Sequence, residues 1–115
     1  MLTHPTAAEI IAGVAQWLPL DGSASPFALR VAKNALEIAD RDTTLGPIAD
    51  ARAAERIRAL GLEGTDRDTL DRALVEAIRA GVIAPDDARL LAHMKASALD
   101  SLAIDQPKYA HQLTP

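Results

Sequence analysis

Cysteine is absent from this chain, and aromatic residues are scarce, with one Trp, one Tyr and one Phe among 115 residues. The absence of cysteine excludes disulfides and thiolate metal ligands and is compatible with any compartment. Hydrophobic residues still make up 49% of the chain, but many are alanines, which bury little area, so the expected core is thin. A thin core in a short chain favours self-association or a protein partner, since either would bury additional apolar surface.

Long runs of one charge or of apolar residues are also missing. The formal net charge is −4 and the sequence pI is about 5.2, and no run of like charges exceeds two residues. This pattern predicts neither nucleic-acid binding nor binding to an anionic membrane. No apolar stretch is long enough to cross a bilayer, and the first residues lack the positive region of a secretory signal. We therefore expect a cytoplasmic protein with no membrane or nucleic-acid partner.

Helical signals follow one another along the whole chain. Thr6 and Glu9 have the spacing of a capping box, and Ser25-Pro26 is a favourable helix start. The predicted helices begin at Thr6, Ser25, Pro47, Thr65 and Asp86, and they end near Leu18, Leu45, Leu60, Gly81 and Asp105. No segment alternates β-branched residues between turns. The sequence therefore predicts an all-α fold, a small antiparallel bundle of about five helices in a single domain over residues 1–115.

The second predicted helix has the widest apolar arc. Phe27, Val31 and Ile38 share one side, and Leu29 and Leu36 extend the arc to nearly half of the circumference. A helix with so wide an arc is expected to lie centrally and to contact more than one neighbour.

Arg30, Asn34 and Arg41 lie on the polar edge of the same helix, at positions i, i+4 and i+11. Two guanidinium groups and an amide beside Phe27 and Ile38 are suited to bind a carboxylate or a phosphate. The alternative is structural: Asn34 bonds a neighbouring loop, and Arg30 pairs with an acidic side chain.

His93, Ser97 and Asp100 share one face of the last long helix. Their residue types are those of a catalytic triad, but one helix supplies no oxyanion hole, and we expect a solvated polar face instead. Lys95 falls inside the apolar arc of that helix, between Leu91 and Leu99. Its stem is expected to lie on the core, or its side chain to lie at an interface.

Signatures of metal, nucleotide and catalytic sites are missing from the sequence. His4, His93 and His111 are scattered, and neither HExxH nor a glycine-rich phosphate loop occurs. The sequence therefore predicts no metal, no cofactor and no enzymatic activity.

The chain ends with a proline break followed by Lys108 and Tyr109. Pro107 disfavours helical geometry at Gln106, so the chain is expected to leave the last helix there. Either Tyr109 folds back onto the bundle, which we expect, or Lys108 and Tyr109 are exposed as an interface for a partner.

Three stretches together resemble a small bacterial family, the domain-of-unknown-function family 6285. They are "PTAAEIIAGVAQWL", "FALRVAKNALEIADRD" and "LLAHMKASALDSLAIDQPKYA", and "IRAG" at positions 78–81 is a further match. The most specific features are RVAxNAL and the ending Asp-x-Pro-basic-Tyr. The family pattern ends in Asn-Pro-Arg-Tyr, whereas this chain has Gln106-Pro107-Lys108-Tyr109. Since lysine cannot reproduce a bidentate guanidinium contact, this departure favours a structural role for the ending.

The family is associated with genes for aminoglycoside-phosphotransferase-like kinases and acyl-CoA dehydrogenase-like flavoproteins. The resemblance implies an accessory role in acyl-CoA or hydroxy-acid breakdown and brings no active-site assignment. Our first hypothesis is a non-catalytic accessory protein that binds such a kinase-like or dehydrogenase-like partner, or forms a homodimer. The alternative is a module that binds an anionic phosphate- or CoA-type ligand through Arg30, Asn34 and Arg41.

Overall fold

The computed structural model describes the backbone of residues 1–113 and the side chains of residues 1–110. This part of the chain contains five helices and no strand: α1 (Ala7–Trp17), α2 (Pro26–Ala59), α3 (Arg67–Arg79), α4 (Ala88–Asp105) and α5 (Pro107–Leu113). The all-α prediction is therefore confirmed. None of the helices in the described residues combines the length and apolar character that crossing a bilayer requires.

Contacts along the chain define two compact units, Met1–Pro47 and Ile48–Pro115. Helix α2 supplies residues to both of them. The first unit contains α1 and the first part of α2, and the second contains the remainder of α2 with α3, α4 and α5. That residues 1–115 form a single domain stays a prediction.

Helix α2 runs without interruption through Pro47, so the predicted end near Leu45 and the separate helix from Pro47 to Leu60 are wrong. Proline removes only one helical hydrogen bond, the one to the Thr43 carbonyl. Gly46 does not end the helix. It allows close packing, because a Cβ atom at this position would lie only 3.2 Å from Oδ1 of Asp42. The same oxygen accepts a 2.9 Å hydrogen bond from the backbone N–H of Leu2.

The first unit has very few buried side chains. The capping box of α1 is confirmed, because Thr6 accepts from the Glu9 N–H and the Glu9 side chain accepts from the Thr6 N–H. Even so, α1 buries no residue completely, and the buried apolar residues of α2 within this unit are Ala32 and Ala39. The sequence-based expectation of a thin core applies most strongly here.

The apolar arc of α2 is only partly covered, contrary to its predicted central position. Phe27 is 69% exposed, and Val31, Leu29 and Leu36 are also exposed. Within the first unit the only other helix is α1, with 11 residues. One short helix covers one stripe of its neighbour and cannot cover an arc of half the circumference.

The second unit holds the main apolar core. Its buried residues are Ala54, Ile57, Leu70, Leu74, Ala77, Ile83 and Leu90, with Leu60, Leu62 and Ile78 packed against them. Helix α3 begins after Asp66, which accepts from the Thr69 N–H, rather than after Thr65 as predicted. Gly61 and Gly81 have φ angles of 92° and 74°, the left-handed geometry expected of residues that end helices.

The chain does leave α4 at Gln106, but it begins a further helix at once. Gln106 ends α4 by donating its N–H to the Leu102 carbonyl, and its own carbonyl accepts from the Tyr109 N–H. Pro107 occupies the first position of α5, where its missing N–H costs nothing. Helix α5 contacts α4 and buries Ala110, while Tyr109 is 56% exposed. The prediction that Tyr109 packs on the bundle is therefore wrong, because Ala110 takes the inward position.

Candidate functional site

A cluster of polar side chains joins α2 to α4 within the second unit. Nε of Arg56 donates a 3.0 Å hydrogen bond to Nδ1 of His93, and Nη2 donates a 3.3 Å bond to Oγ of Ser97. The same Nη2 lies 3.8 Å from Oδ2 of Asp100, within ion-pair distance. We call these four residues the Arg56 cluster. One guanidinium group thus contacts three polar residues on successive turns of α4.

The imidazole of His93 is held in its neutral form. Its Nδ1 accepts from Arg56, so the ring proton lies on Nε2. Burial lowers the pKa of His93 below its ordinary value of 6.5, and the positive charges of Arg56 and Arg67 lower it further, while Asp71 opposes them. A proton on Nδ1 would remove the acceptor and place a second positive charge beside Arg56.

The expectation that His93, Ser97 and Asp100 form a solvated polar face is wrong. His93 is only 5% exposed, and Ser97 and Asp100 are partly buried. The arrangement is also unlike that of a hydrolase, because Nδ1 of His93 accepts from Arg56 and Ser97 accepts a hydrogen bond from the same residue. The partly buried guanidinium of Arg56 contacts both groups, so it joins the two helices and His93 is not placed as a base for Ser97.

A polar cleft of about 380 Å³ lies between α2 and the start of α3, lined by Asp50, Ala51, Ala54, Glu55, Arg58, Thr65, Asp66 and Arg67. Both arginines of the cleft, Arg58 and Arg67, donate hydrogen bonds to other groups of the chain. Nη1 of Arg67 donates a 2.8 Å bond to Asp50, and Arg58 donates to the carbonyls of Gly64 and Thr65. These hydrogen bonds attach the segment that leads into α3 to helix α2.

The three residues proposed for anion or partner binding lie together on α2 in the first unit. Arg30 and Asn34 are exposed and Arg41 is partly buried. Phe27 and Val31, both exposed, lie beside them on the helix surface. We call these five residues the arginine edge. It combines an exposed aromatic ring with two guanidinium groups on one side of α2.

A groove of about 540 Å³ lies on a different side of α2, also within the first unit. Its lining residues are Leu18, Leu29, Ala32, Lys33, Leu36, Glu37 and Asp40. Lys33 and Glu37 form an exposed ion pair at 3.7 Å. We call this feature the leucine groove; the sequence analysis assigned no role to it.

The remaining candidate interface residues lie apart from both surfaces in the sequence. Lys95 is exposed on α4, and Lys108 and Tyr109 are exposed on α5. The structure thus keeps Arg30, Asn34 and Arg41 together and leaves Lys95 on another helix from Lys108 and Tyr109.

The sequence analysis missed Arg56, the residue that organises this partly buried polar cluster. It is one of several arginines in an alanine-rich stretch, and its partner His93 lies 37 positions away. The two residues meet only because of the register in which α2 packs against α4, and no local sequence pattern indicates that register. Among the described side chains, no three metal-ligating residues converge on one point; the side chain of His111 lies outside the described residues.

The comparisons with known proteins give a family and no individual relative. No curated protein and no solved structure matches the chain. A family model described as "Domain of unknown function (DUF6285)" matches residues 20–109. Of the three stretches that carry the resemblance, the second lies within that range, the last extends one residue beyond it, and "PTAAEIIAGVAQWL" lies before it. The match covers most of the chain, so this protein belongs to the domain-of-unknown-function family 6285.

Proposed function

We propose that this chain is a non-catalytic interaction protein that binds another protein through the arginine edge. The observation that carries the proposal is the exposure of Phe27, at 69%, beside Arg30 and Val31. Exposing a large aromatic side chain is unfavourable unless another surface covers it for part of the time.

The composition of the arginine edge indicates the chemistry of its partner. Aromatic and arginine side chains supply a large share of binding energy in protein interfaces, usually as anchors in desolvated pockets. Phe27 would enter an apolar pocket, and Arg30, on the next turn of the helix, would contact a carboxylate at its rim through paired N–H donors. Arg41, about 20 Å from Phe27 along α2, would contact a separate carboxylate. The partner surface is therefore an apolar depression bordered by acidic side chains.

A role in binding small anions has less support. Sites for small ligands are usually concave and surround most of the ligand. Neither Arg30, Asn34 nor Arg41 lines the leucine groove or the polar cleft. A phosphate- or CoA-type ligand is the alternative occupant of the arginine edge.

A non-catalytic role is supported by the Arg56 cluster, in which both His93 and Ser97 are engaged by a guanidinium group. The kinase-like and acyl-CoA dehydrogenase-like enzymes associated with the family are the first partners to test. The cytoplasm stays the predicted compartment for this interaction.

The test is an affinity purification from the native host with quantitative mass spectrometry, using the tagged full chain. We expect at least one protein to be enriched by the wild type and to fall at least about tenfold with Phe27→Ser, since loss of an interface anchor costs about 1.4 kcal/mol or more. Val31→Ser should weaken the same interaction. Val75→Ser is the matched control, because Val31 and Val75 are both 44% exposed.

Equal enrichment by the wild type and Phe27→Ser would contradict the proposal, as would no enrichment above a tag-only control. A panel of acyl-CoAs, phosphorylated hydroxy acids and nucleotides in a thermal-shift assay tests the alternative. Stabilisation by one of them that Arg30→Ala abolishes would favour the small-ligand role instead.

A further inference from the structure

We propose that the leucine groove binds the same groove of a second copy of this chain, with the two α2 helices antiparallel about a two-fold axis. The first observation is the spacing of the residues along the groove. Leu29, Lys33, Leu36 and Asp40 are separated by four, three and four positions and all line the groove. This is the spacing of a coiled-coil seam, which packs along a second helix.

The charges on this seam select the orientation of the second helix. Lys33 and Asp40 lie two turns apart, with Leu36 between them. In a parallel pair, equivalent residues face each other, so Lys33 would meet Lys33 of the other copy and Asp40 would meet Asp40. In an antiparallel pair, Lys33 of each copy meets Asp40 of the other. Opposite charges therefore pair twice in the antiparallel arrangement, and like charges pair twice in the parallel one.

A two-fold axis beside Leu36 satisfies this pairing. In a two-fold interface every contact occurs twice: if residue i of one copy contacts residue j of the other, residue j of the first also contacts residue i of the second. Lys33 and Asp40 form such a reciprocal pair. Leu36 of each copy then lies close to the axis, where the most buried contacts form.

Lys33 is available for this exchange of partners. Its ion pair with Glu37 joins two exposed side chains, and such surface pairs contribute little to stability. In the dimer, Glu37 would remain beside Lys33 as a second acidic neighbour.

This interface and the arginine edge occupy different sides of α2. At 100° per residue, the mean directions of the seam and of the five residues of the arginine edge lie about 130° apart around the helix axis. Dimerisation would leave both arginine edges open, so the inference goes beyond the proposed function and is independent of it.

The first measurement is the mass in solution by light scattering across a concentration series. We expect the full chain to approach twice its 12.2 kDa mass. Leu36→Glu places two carboxylates at the axis and should yield the monomer at every concentration tested. Leu91→Glu is the control, since Leu91 is similarly exposed on α4, and this variant should dimerise like the wild type.

The second measurement uses charge reversal to separate a lost interface from a lost fold. Lys33→Glu makes the groove wholly acidic, and the double variant Glu37→Lys/Asp40→Lys makes it wholly basic. Each should be monomeric alone, and a one-to-one mixture should form a heterodimer. A monomeric wild type, dimers that survive Leu36→Glu, or variants that fail to associate when mixed would each overturn the proposal.

Discussion

Arg56 and His93 lie 37 positions apart in the sequence and share a 3.0 Å hydrogen bond from Nε of the arginine to Nδ1 of the histidine. The bond joins α2 to α4 and requires a neutral imidazole, because a protonated Nδ1 cannot accept a hydrogen bond. A side chain with the residue type of a catalytic base is thus used as a buried acceptor.

Stability should decrease in acid because of His93. Its pKa is lowered in the folded chain, first by burial and then by the charge of Arg56. The unfolded chain therefore binds this proton at a higher pH than the folded chain, and the free energy of unfolding rises with pH across that interval. The contribution of neutral His93 to stability is fully present above pH 6.5, the ordinary pKa of histidine. It is lost as the pH falls through the lower pKa of His93 in the folded chain. Urea titrations between about pH 7.5 and pH 5 measure this slope.

Two histidine variants isolate the effect. His93→Gln keeps an acceptor oxygen for Arg56 without a titrating group, so its slope in this interval should be shallower than that of the wild type. His4→Gln changes an exposed histidine and should leave the slope unchanged. Equal slopes for the wild type and His93→Gln would contradict this explanation.

Removing the guanidinium of Arg56 should destabilise the fold. Arg56→Ala leaves a buried acceptor on His93 unsatisfied and removes the ion-pair partner of Asp100. We expect the free energy of unfolding to fall by about 1–3 kcal/mol near neutral pH, measured by urea denaturation. The control is Arg72→Ala, which breaks an exposed pair with Asp68 and should cost less than about 1 kcal/mol. Similar losses for the two variants would refute a special role of Arg56.

Replacing Pro47 should stabilise α2. Pro47 lies inside a 34-residue helix and cannot donate to the carbonyl of Thr43. Pro47→Ala restores that donor, and the free energy of unfolding should rise, by up to about 3 kcal/mol. Pro26→Ala alters the first position of the same helix, where proline is well suited, and should instead lower stability by less than about 1 kcal/mol. Destabilisation by Pro47→Ala would show that the ring makes a contact that outweighs the missing bond.

Local chemistry predicts the ends of most helices correctly. The capping box at Thr6, the left-handed glycines after α2 and α3 and the end of α4 at Asp105 all depend on a few neighbouring residues. The prediction failed at Gly46-Pro47, because this dipeptide can end a helix but can also lie inside one where a glycine allows close packing, here against Asp42. Only the folded chain distinguishes these two roles.

The contacts between helices could not be predicted. Whether the apolar arc around Phe27 is buried depends on how many helices surround α2, and a periodic pattern does not contain that number. The role of His93 depends on Arg56, which reaches it only in one register of α2 against α4. The arginine edge was recognisable as a group because Arg30, Asn34 and Arg41 lie on one helix.

The central claim, that the arginine edge is a protein-binding surface, is tested most directly by site-specific photo-crosslinking in the native host. A photoreactive phenylalanine analogue replaces Phe27 in one strain, Val75 in a second and Tyr109 in a third, all of which are exposed positions. We predict one discrete crosslinked protein at position 27, lost when Arg30→Glu is added, and none at positions 75 and 109. The same crosslinked species at all three positions, or at position 109 and not at 27, would contradict the account.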